Sequence, residues 1–251
     1  MNQYRLASCM LLLVVLASSG CSSLTSSLRN DSQSVESPSA LSIAGQQKPL
    51  GSPENQELQI ALETARLAEE RGMDTDAIAA YEEVRRLNPK QPGVSHALAV
   101  LYDRGLMTDS AQKEYSAALQ EAPNDANVHC DYGYFLYSTG RLFEAEESLR
   151  RAINLDANHQ KSTVNLAVVL ASQAKFDEAQ FLFEKAIGPA AALHNIGMFQ
   201  LRHGNTAVGQ QLITAALEKD PSLQQSMAVL ENLGRTQNSS RLAAGSLSLP
   251  Q

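Results

Sequence analysis

The stretch "HCDYGYFLYSTGRLFEAEESLRRAINLDA", residues 129–157, decides the fold class of this protein. Its apolar residues recur at helical spacing, yet Gly133 lies inside the pattern and Gly140 near its middle. A glycine in a helix interior costs roughly 0.5–1 kcal/mol relative to alanine. We therefore expect Gly133 to mark a close approach of two helices and Gly140 to mark the turn between them.

Two earlier stretches align with this one without a gap, "ALETARLAEERGMDTDAIAAYEEVRRLNP" at 61–89 and "HALAVLYDRGLMTDSAQKEYSAALQEAP" at 96–123. The spacing is 34 residues. Small residues recur at one position of each predicted first helix and of each second helix: Ala65, Ala99, Gly133, Ala167 and Gly197, then Ala77, Ala111, Ala145, Ala179 and Gly209. Large residues recur in the same way at Tyr81, Tyr115, Leu149, Phe183 and Ile213.

This pattern resembles the tetratricopeptide repeat (TPR), a pair of antiparallel helices that buries its apolar face against neighbouring pairs. The resemblance implies an all-α fold, a TPR solenoid in which the helix pairs form a right-handed superhelix. The predicted units are 58–91, 92–125, 126–159, 160–189 and 190–223. Gly72, Gly105, Gly140 and Gly204 are the predicted turns between paired helices.

Two features modify the regular repeat near its end. Unit four is four residues short of the period and ends with Gly188 and Pro189, which predicts a tighter connection and a local change in superhelical angle. Residues 222–234 then form one more amphipathic pattern, expected to be a capping helix with Leu223, Met227 and Leu230 turned inward. Residues 235–251 are expected to be a disordered tail.

The N-terminal sequence has the features of an export signal. Arg5 precedes an apolar run, and small residues follow it, so residues 1–20 are interpreted as a signal peptide. Cys21 directly after them resembles the lipidated cysteine of bacterial lipoproteins, although Ser18 stands where that family has a large apolar residue. Lipidation would anchor the protein to an envelope membrane, by resemblance the outer membrane, facing the periplasm. The alternative is ordinary cleavage nearby and a secreted protein. Residues 21–57 are rich in serine and proline and are expected to be a disordered tether.

Composition argues against several functions. The formal charge is −7 and no basic block stands out, so nucleic acid is not an expected partner. The five histidines are scattered, no cysteine pair has ligand spacing, and no phosphate loop or nucleophile motif occurs. We therefore predict no metal site, no cofactor, no small-molecule substrate and no enzymatic activity.

What remains is the concave groove that first helices line in TPR proteins. Family positions place the following residues there: Arg66, His96, Val100, Arg104, Asn127, Cys130, Tyr134, Tyr137, Lys161, Val164, Val168, His194 and Met198. Leu201 and Arg202 fall at further groove positions of the last unit. An aromatic and apolar middle with charged ends suits a helix or an extended peptide of another protein. The alternative is that some of these side chains pack against neighbouring helices or the capping helix.

Two comparisons with known TPR types refine this prediction. A chaperone-tail receptor of the carboxylate-clamp type is not expected, because Asp131 stands at a clamp position and would repel the ligand. The run "NLAVVLASQAKFDEAQFLFEKAIGPAAALHNIG", residues 165–197, resembles TadD-type lipoproteins of tight-adherence (Flp) pilus assembly. That resemblance implies a periplasmic scaffold for a pilus or secretion apparatus. A general envelope adaptor for cell-wall enzymes and a soluble exported adaptor are the alternatives.

Overall fold

The computed structural model of the protein describes residues 53–246, with side chains for residues 55–236. The predicted signal peptide, Cys21 and most of the tether lie outside the described residues, as do the last five residues of the predicted tail. The described chain forms two compact units, residues 53–94 and residues 95–246.

The described residues are helical throughout, with short connections and no strand. The helices are α1 Pro53–Glu70, α2 Asp74–Leu87, α3 Val94–Arg104, α4 Thr108–Glu121, α5 Ala126–Ser138, α6 Leu142–Leu155, α7 Gln160–Ser172, α8 Phe176–Ile187, α9 Pro189–Arg202, α10 Thr206–Lys219 and α11 Gln224–Ser246. The first helices of the hairpins are α1, α3, α5, α7 and α9, and the second helices are α2, α4, α6, α8 and α10. The predicted all-α TPR solenoid class is confirmed.

In the first unit, α1 and α2 form one hairpin. Ala65 and Ala77 are fully buried, and Tyr81 donates a hydrogen bond of 3.0 Å to the Glu69 carboxylate. Residues 53–57 are helical although they were expected to belong to the tether. Pro53 supports this earlier start, because proline is favoured at the first position of a helix.

In the second unit, α5, α7 and α9 each contact their own second helix, and α7 also contacts α5 and α9. The large repeat positions form the core: Tyr115, Leu149, Phe183 and Ile213 are at most 1 % exposed. The small positions are buried beside them. A Cβ at Gly133 would lie 2.6 Å from Leu149 Cγ, so the glycine of the opening stretch does mark a close approach.

The same turn joins every hairpin. The N–H groups of Met73, Met107, Arg141, Lys175 and Asn205 each donate to the carbonyl five residues earlier, at 2.8–2.9 Å. This is the Schellman arrangement, which needs a left-handed residue just before the donor. In the second hairpin that residue is Leu106, with φ 57°, and not Gly105 as predicted. Ala174 takes the same conformation in the fourth hairpin, with φ 61°.

The junction between α8 and α9 is as tight as predicted. Gly188 alone separates the two helices, with φ 85° and ψ 165°, a conformation that a residue with a side chain rarely adopts. Pro189 then begins α9 at the first helical position. A change in superhelical angle at this junction stays a prediction.

The last helix, α11, packs against α10 and continues to Ser246. The predicted tail is therefore wrong for residues 235–246. Arg241, Leu242, Ala243 and Ala244 are strong helix formers, which explains the extension. Leu223 is buried as expected, but Met227 is 41 % exposed and Ser226 takes the inward position instead.

Candidate functional site

The predicted groove positions of residues 95–246 lie on α3, α5, α7 and α9, and their common surface is called here the first-helix face. Several of them are accessible. Arg104, Asn127, Tyr134 and Lys161 are exposed, and His96, Val100, Tyr137 and Met198 are half-buried. Arg66 belongs to the separate unit of residues 53–94, where it is exposed and lies 3.6 Å from Glu63.

Four predicted groove residues are not available to a partner. Cys130, Val164 and Val168 belong to the main hydrophobic core, with exposed fractions of 0 %, 6 % and 3 %. They are buried because neighbouring first helices pack side by side: the Asn165 amide on α7 donates to Cys130 Sγ on α5 at 3.6 Å. For these side chains the alternative interpretation, packing between helices, is the correct one.

The fourth buried residue is His194, which the capping helix covers. A hydrogen bond of 2.7 Å joins its Nδ1 to the hydroxyl of Ser226 on α11, and both residues are buried. Burial lowers the pKa of His194, so the ring is neutral in this environment. The His194 position of the first-helix face is thus covered by the protein's own chain.

The repeat pattern changes at α11. Ser162 is fully buried next to Cys130, as Ser226 is next to His194. Ala167 lies five residues after Ser162 and fills the small position of α7. Glu231 lies five residues after Ser226 and stands at the corresponding position of α11. Glu231 is exposed, and no second helix covers it in the described part of the chain.

A row of polar side chains crosses the start of the first-helix face. His96 Nε2 lies 3.0 Å from Asp131 Oδ2, and Lys161 Nζ donates to Asp131 Oδ1 at 2.6 Å. These three residues are called the polar row. Burial acts to raise the pKa of Asp131, but the hydrogen bonds from His96 and Lys161 outweigh it and the pKa is lowered. Asp131 is therefore a carboxylate whose negative charge is offset by its partners, and it connects α3, α5 and α7.

A second polar contact lies beside this row. His159 Nε2 is 3.1 Å from the Asn127 side-chain oxygen, while its Nδ1 accepts the backbone N–H of Ser162 at 3.2 Å. The His159 side chain thereby caps the N-terminus of α7. Asn127 is consequently tied to the next hairpin, although it stays exposed.

The middle of the face is aromatic. The rings of Tyr134 and Tyr137 lie one helical turn apart on α5, with centroids 6.3 Å apart. Tyr134 is 38 % exposed, and Val100 on α3 and Met198 on α9 are half-buried, so part of each of these apolar side chains is accessible. These side chains, the polar row and the exposed Arg104, Asn127 and Arg202 are among the predicted groove residues that a partner can reach.

At the C-terminal ends of the first helices the face deepens into a cavity of about 460 Å³, called here the edge cavity. Its lining comes from α5, α6, α7, α9 and two turns: Tyr137, Ser138, Gly140, Leu142, Ser172, Phe199, Arg202 and His203. The Arg202 guanidinium lies 5.2 Å from the centroid of the Phe199 ring. The His203 ring meets Phe176 edge to face at 5.4 Å.

Sequence reasoning placed Tyr137 and Arg202 on the groove but missed Phe199, His203 and the two serines. The repeat does indicate part of this lining, because one repeat position is occupied in successive hairpins by Arg104, Ser138, Ser172 and Arg202. Phe199 lies outside the family's groove positions, and its place in the lining depends on how α9 packs against α7.

No group of three or more His, Cys, Asp or Glu side chains in the described residues could hold a metal ion. Within residues 53–246 no helix has the length and apolar character needed to cross a membrane.

Comparison with protein families agrees with this fold. Residues 95–194 match the model of the Cilia and flagella-associated protein 70 middle TPR-like domain. Residues 95–194 are thus similar to a TPR-like domain, in agreement with the helix hairpins of the fold. Among curated proteins, this chain is 29 % identical over 120 residues to the type IV pilus assembly protein PilF of Pseudomonas aeruginosa. That match covers 47 % of this chain and about half, 48 %, of the relative.

Solved structures of similar fold include TPR proteins of different systems. YrrB, described as a TPR protein with an unusual peptide-binding site, is 19 % identical, with a TM-score of 0.56 over 71 % of this chain and 94 % of its own. PilF of Pseudomonas aeruginosa gives 0.56 at 20 % identity, over 76 % and 89 % of the two chains. PilW, described as a widely conserved type IV pilus biogenesis factor, gives 0.57 at 19 %, over 78 % and 93 %. At such identities the similarity establishes the fold alone.

Proposed function

We propose that this protein is a non-enzymatic scaffold whose first-helix face binds a polypeptide segment of a pilus-assembly complex in a bacterial envelope. The observation that carries the proposal is the accessible apolar surface around Tyr134, next to a polar row whose charges are already paired. Exposed aromatic side chains are the commonest anchors of protein interfaces. The sequence alone suggested that Asp131 would repel a ligand carboxylate, but its charge is offset by His96 and Lys161, which supports binding of a polypeptide next to the polar row.

The pilus context rests on similarity. PilF and PilW are named for type IV pilus assembly and biogenesis, and residues 165–197 resemble the tight-adherence pilus lipoproteins. Both point to an assembly role, and they differ in the pilus type. The type IV relatives favour that type, because their similarity extends over more of the chain.

The membrane part of the proposal concerns Cys21. Acyl chains on this cysteine would anchor the protein on the periplasmic side of the outer membrane, since two chains suffice for stable attachment. Metabolic labelling with a palmitate analogue tests the anchor. Label on the wild type and none on Cys21→Ala is expected, and label that persists in the variant would reject lipidation at this site.

The partner site is tested with a photo-crosslinking amino acid placed at Tyr134 in the native envelope. The matched control is Phe181, an aromatic residue on the second helix α8 that is 66 % exposed, against 38 % for Tyr134. We expect Tyr134 to crosslink a discrete protein that mass spectrometry identifies as a pilus component, and Phe181 not to capture it.

Other outcomes separate the alternatives. Capture of cell-wall enzymes at Tyr134 would replace the pilus role by that of a general envelope adaptor. Equal capture at Tyr134 and Phe181 would contradict the first-helix face as the binding site. Once the partner is known, Tyr134→Ala is expected to weaken its binding by about 1–3 kcal/mol, the range for an interface anchor.

A further inference from the structure

The edge cavity is a candidate binding site of its own. Its volume of about 460 Å³ lies within the range of roughly 300–1,000 Å³ typical of pockets that enclose small ligands. A pocket of this volume admits one or two side chains. A whole helix, about 10–12 Å across, is too wide to enter it. Leu142 and Phe199 supply apolar walls, so the cavity suits a side chain that leaves water.

The charge of the cavity has one sign. No carboxylate lines it, and Arg202 is its permanent cation. Two other arginines of residues 95–246 are paired with carboxylates: Arg141 with Glu144 at 2.5 Å and Arg150 with Glu178 at 2.5 Å. Among the side chains that the structure describes, Arg202 has no carboxylate partner.

The Arg202 side chain is also oriented. Its guanidinium carbon lies 5.2 Å from the centroid of the Phe199 ring, a cation–π contact, and Phe199 is itself 8 % exposed and thus fixed by packing. This contact leaves the guanidinium N–H groups that do not face the ring for a ligand. Those groups match the geometry of a carboxylate.

Two hydroxyl groups complete the lining. Ser138 donates to the Phe135 carbonyl at 2.8 Å and Ser172 donates to the Val168 carbonyl at 2.9 Å. Since each hydroxyl hydrogen is engaged, the oxygens can accept a hydrogen bond from a ligand. The lining therefore offers a cationic donor, two acceptors and apolar walls, which are the complements of an acidic side chain, of backbone N–H groups and of an apolar side chain.

From this complementarity we infer that the edge cavity binds an aspartate or glutamate side chain next to an apolar residue in an extended partner segment. The carboxylate pairs with Arg202, the apolar side chain packs on Phe199 and Leu142, and the serines accept backbone N–H groups of the segment. The inference rests on the proposed function, because it names the sequence feature that the first-helix face selects.

The test uses the full ¹⁵N-labelled chain and two blocked peptides, acetyl-Leu-Glu-Leu-amide and its neutral match acetyl-Leu-Gln-Leu-amide. NMR titration is expected to shift the amide signals of residues 138–142 and 199–204. We expect the glutamate peptide to bind about fivefold more tightly, the ratio for a partly exposed ion pair. The preference should shrink at high salt, because exposed charges are screened.

Variants identify the cation. Arg202→Gln should abolish the preference for glutamate, and Arg202→Lys should retain part of it because the charge remains without the planar fork. Arg235→Gln, a change of an exposed arginine on α11, should leave the preference unchanged. Circular dichroism checks that each variant keeps its helices.

Several results would overturn the inference. They are equal affinity for the two peptides, a glutamate preference that survives Arg202→Gln, and tighter binding of acetyl-Leu-Leu with a free C-terminal carboxylate. A further one is a shift of residues 22–52 caused by Arg202→Gln alone, which would assign the cavity to the protein's own N-terminal stretch. Crosslinking at Tyr134 distinguishes the two proposals: a partner that is still captured while the glutamate preference is absent leaves the proposed function intact.

Discussion

Replacing Gly209 by alanine is expected to destabilise the α9–α10 hairpin. A Cβ at this position would lie 2.7 Å from Leu201 Cγ and 2.8 Å from the backbone oxygen of Gly197. A side chain can change rotamer, but the backbone oxygen moves only if the two helices separate. Overpacking of this kind costs about 1–3 kcal/mol, while the better helix propensity of alanine returns up to about 1 kcal/mol. The net loss is about 1–2 kcal/mol, or roughly 2–8 °C in melting temperature.

Thermal and urea unfolding followed by circular dichroism would measure this loss, and hydrogen exchange would locate it. Each hairpin contacts only its neighbours, so exchange should rise in residues 189–219 and stay unchanged in residues 95–138. Gly234→Ala is the matched control, because a Cβ there meets nothing within 4 Å and α11 should gain about 0.5–1 kcal/mol. A Gly209→Ala protein as stable as the wild type would refute the argument from close approach.

Three further predictions concern the turns, the polar row and the cap. Leu106→Gly and Ala174→Gly should each stabilise the protein by about 0.5–1 kcal/mol in urea unfolding. Each change relieves left-handed backbone strain of about 1–2 kcal/mol and adds the entropic cost of glycine, so unchanged or lower stability would contradict the argument. Asp131 has a lowered pKa in the folded state, so its carboxylate stabilises the fold above the unfolded pKa of about 3.9, and this stability is lost as pH falls. Asp131→Asn should therefore flatten the profile of stability against pH in acid, and an unchanged profile would argue against the ion pairs. Ser226→Ala should cost about 1–3 kcal/mol and increase hydrogen exchange in α11, since it leaves His194 buried without its partner; unaltered exchange would mean that this hydrogen bond does not hold the cap.

The pH dependence of the cap follows from the same burial. The pKa of His194 is lowered in the folded protein, so the neutral ring contributes stability above the unfolded pKa of about 6.5. That stability is lost as pH falls through the folded value, because protonation then favours the unfolded chain. His194 and Asp131 therefore both weaken the fold in acid, in successive pH ranges.

The hairpin architecture was predictable because its signals are local and repeated. Small residues at Gly133 and Gly197, large ones at Leu149 and Ile213, and the turn spacing recur at a fixed period, so each unit supports the assignment of the next. The turn at Leu106 was misassigned to Gly105, because the sequence shows where a glycine is available and not which residue adopts the left-handed conformation. The end of α11 was misassigned for a related reason: serines and a glycine are compatible with both coil and helix.

The amino-acid sequence by itself determined the class of this protein: helix pairs of a fixed period, with one helical face of each pair apolar. The resemblance to TPR proteins, through that family's groove positions, also named the candidate groove residues. Only the tertiary structure decided which of them a partner can reach. Neighbouring helices cover Cys130, Val164 and His194, whereas Tyr134 and Arg202 are accessible. Accessibility depends on the distance between helices that are far apart in the chain. Periodicity carries no information about that distance.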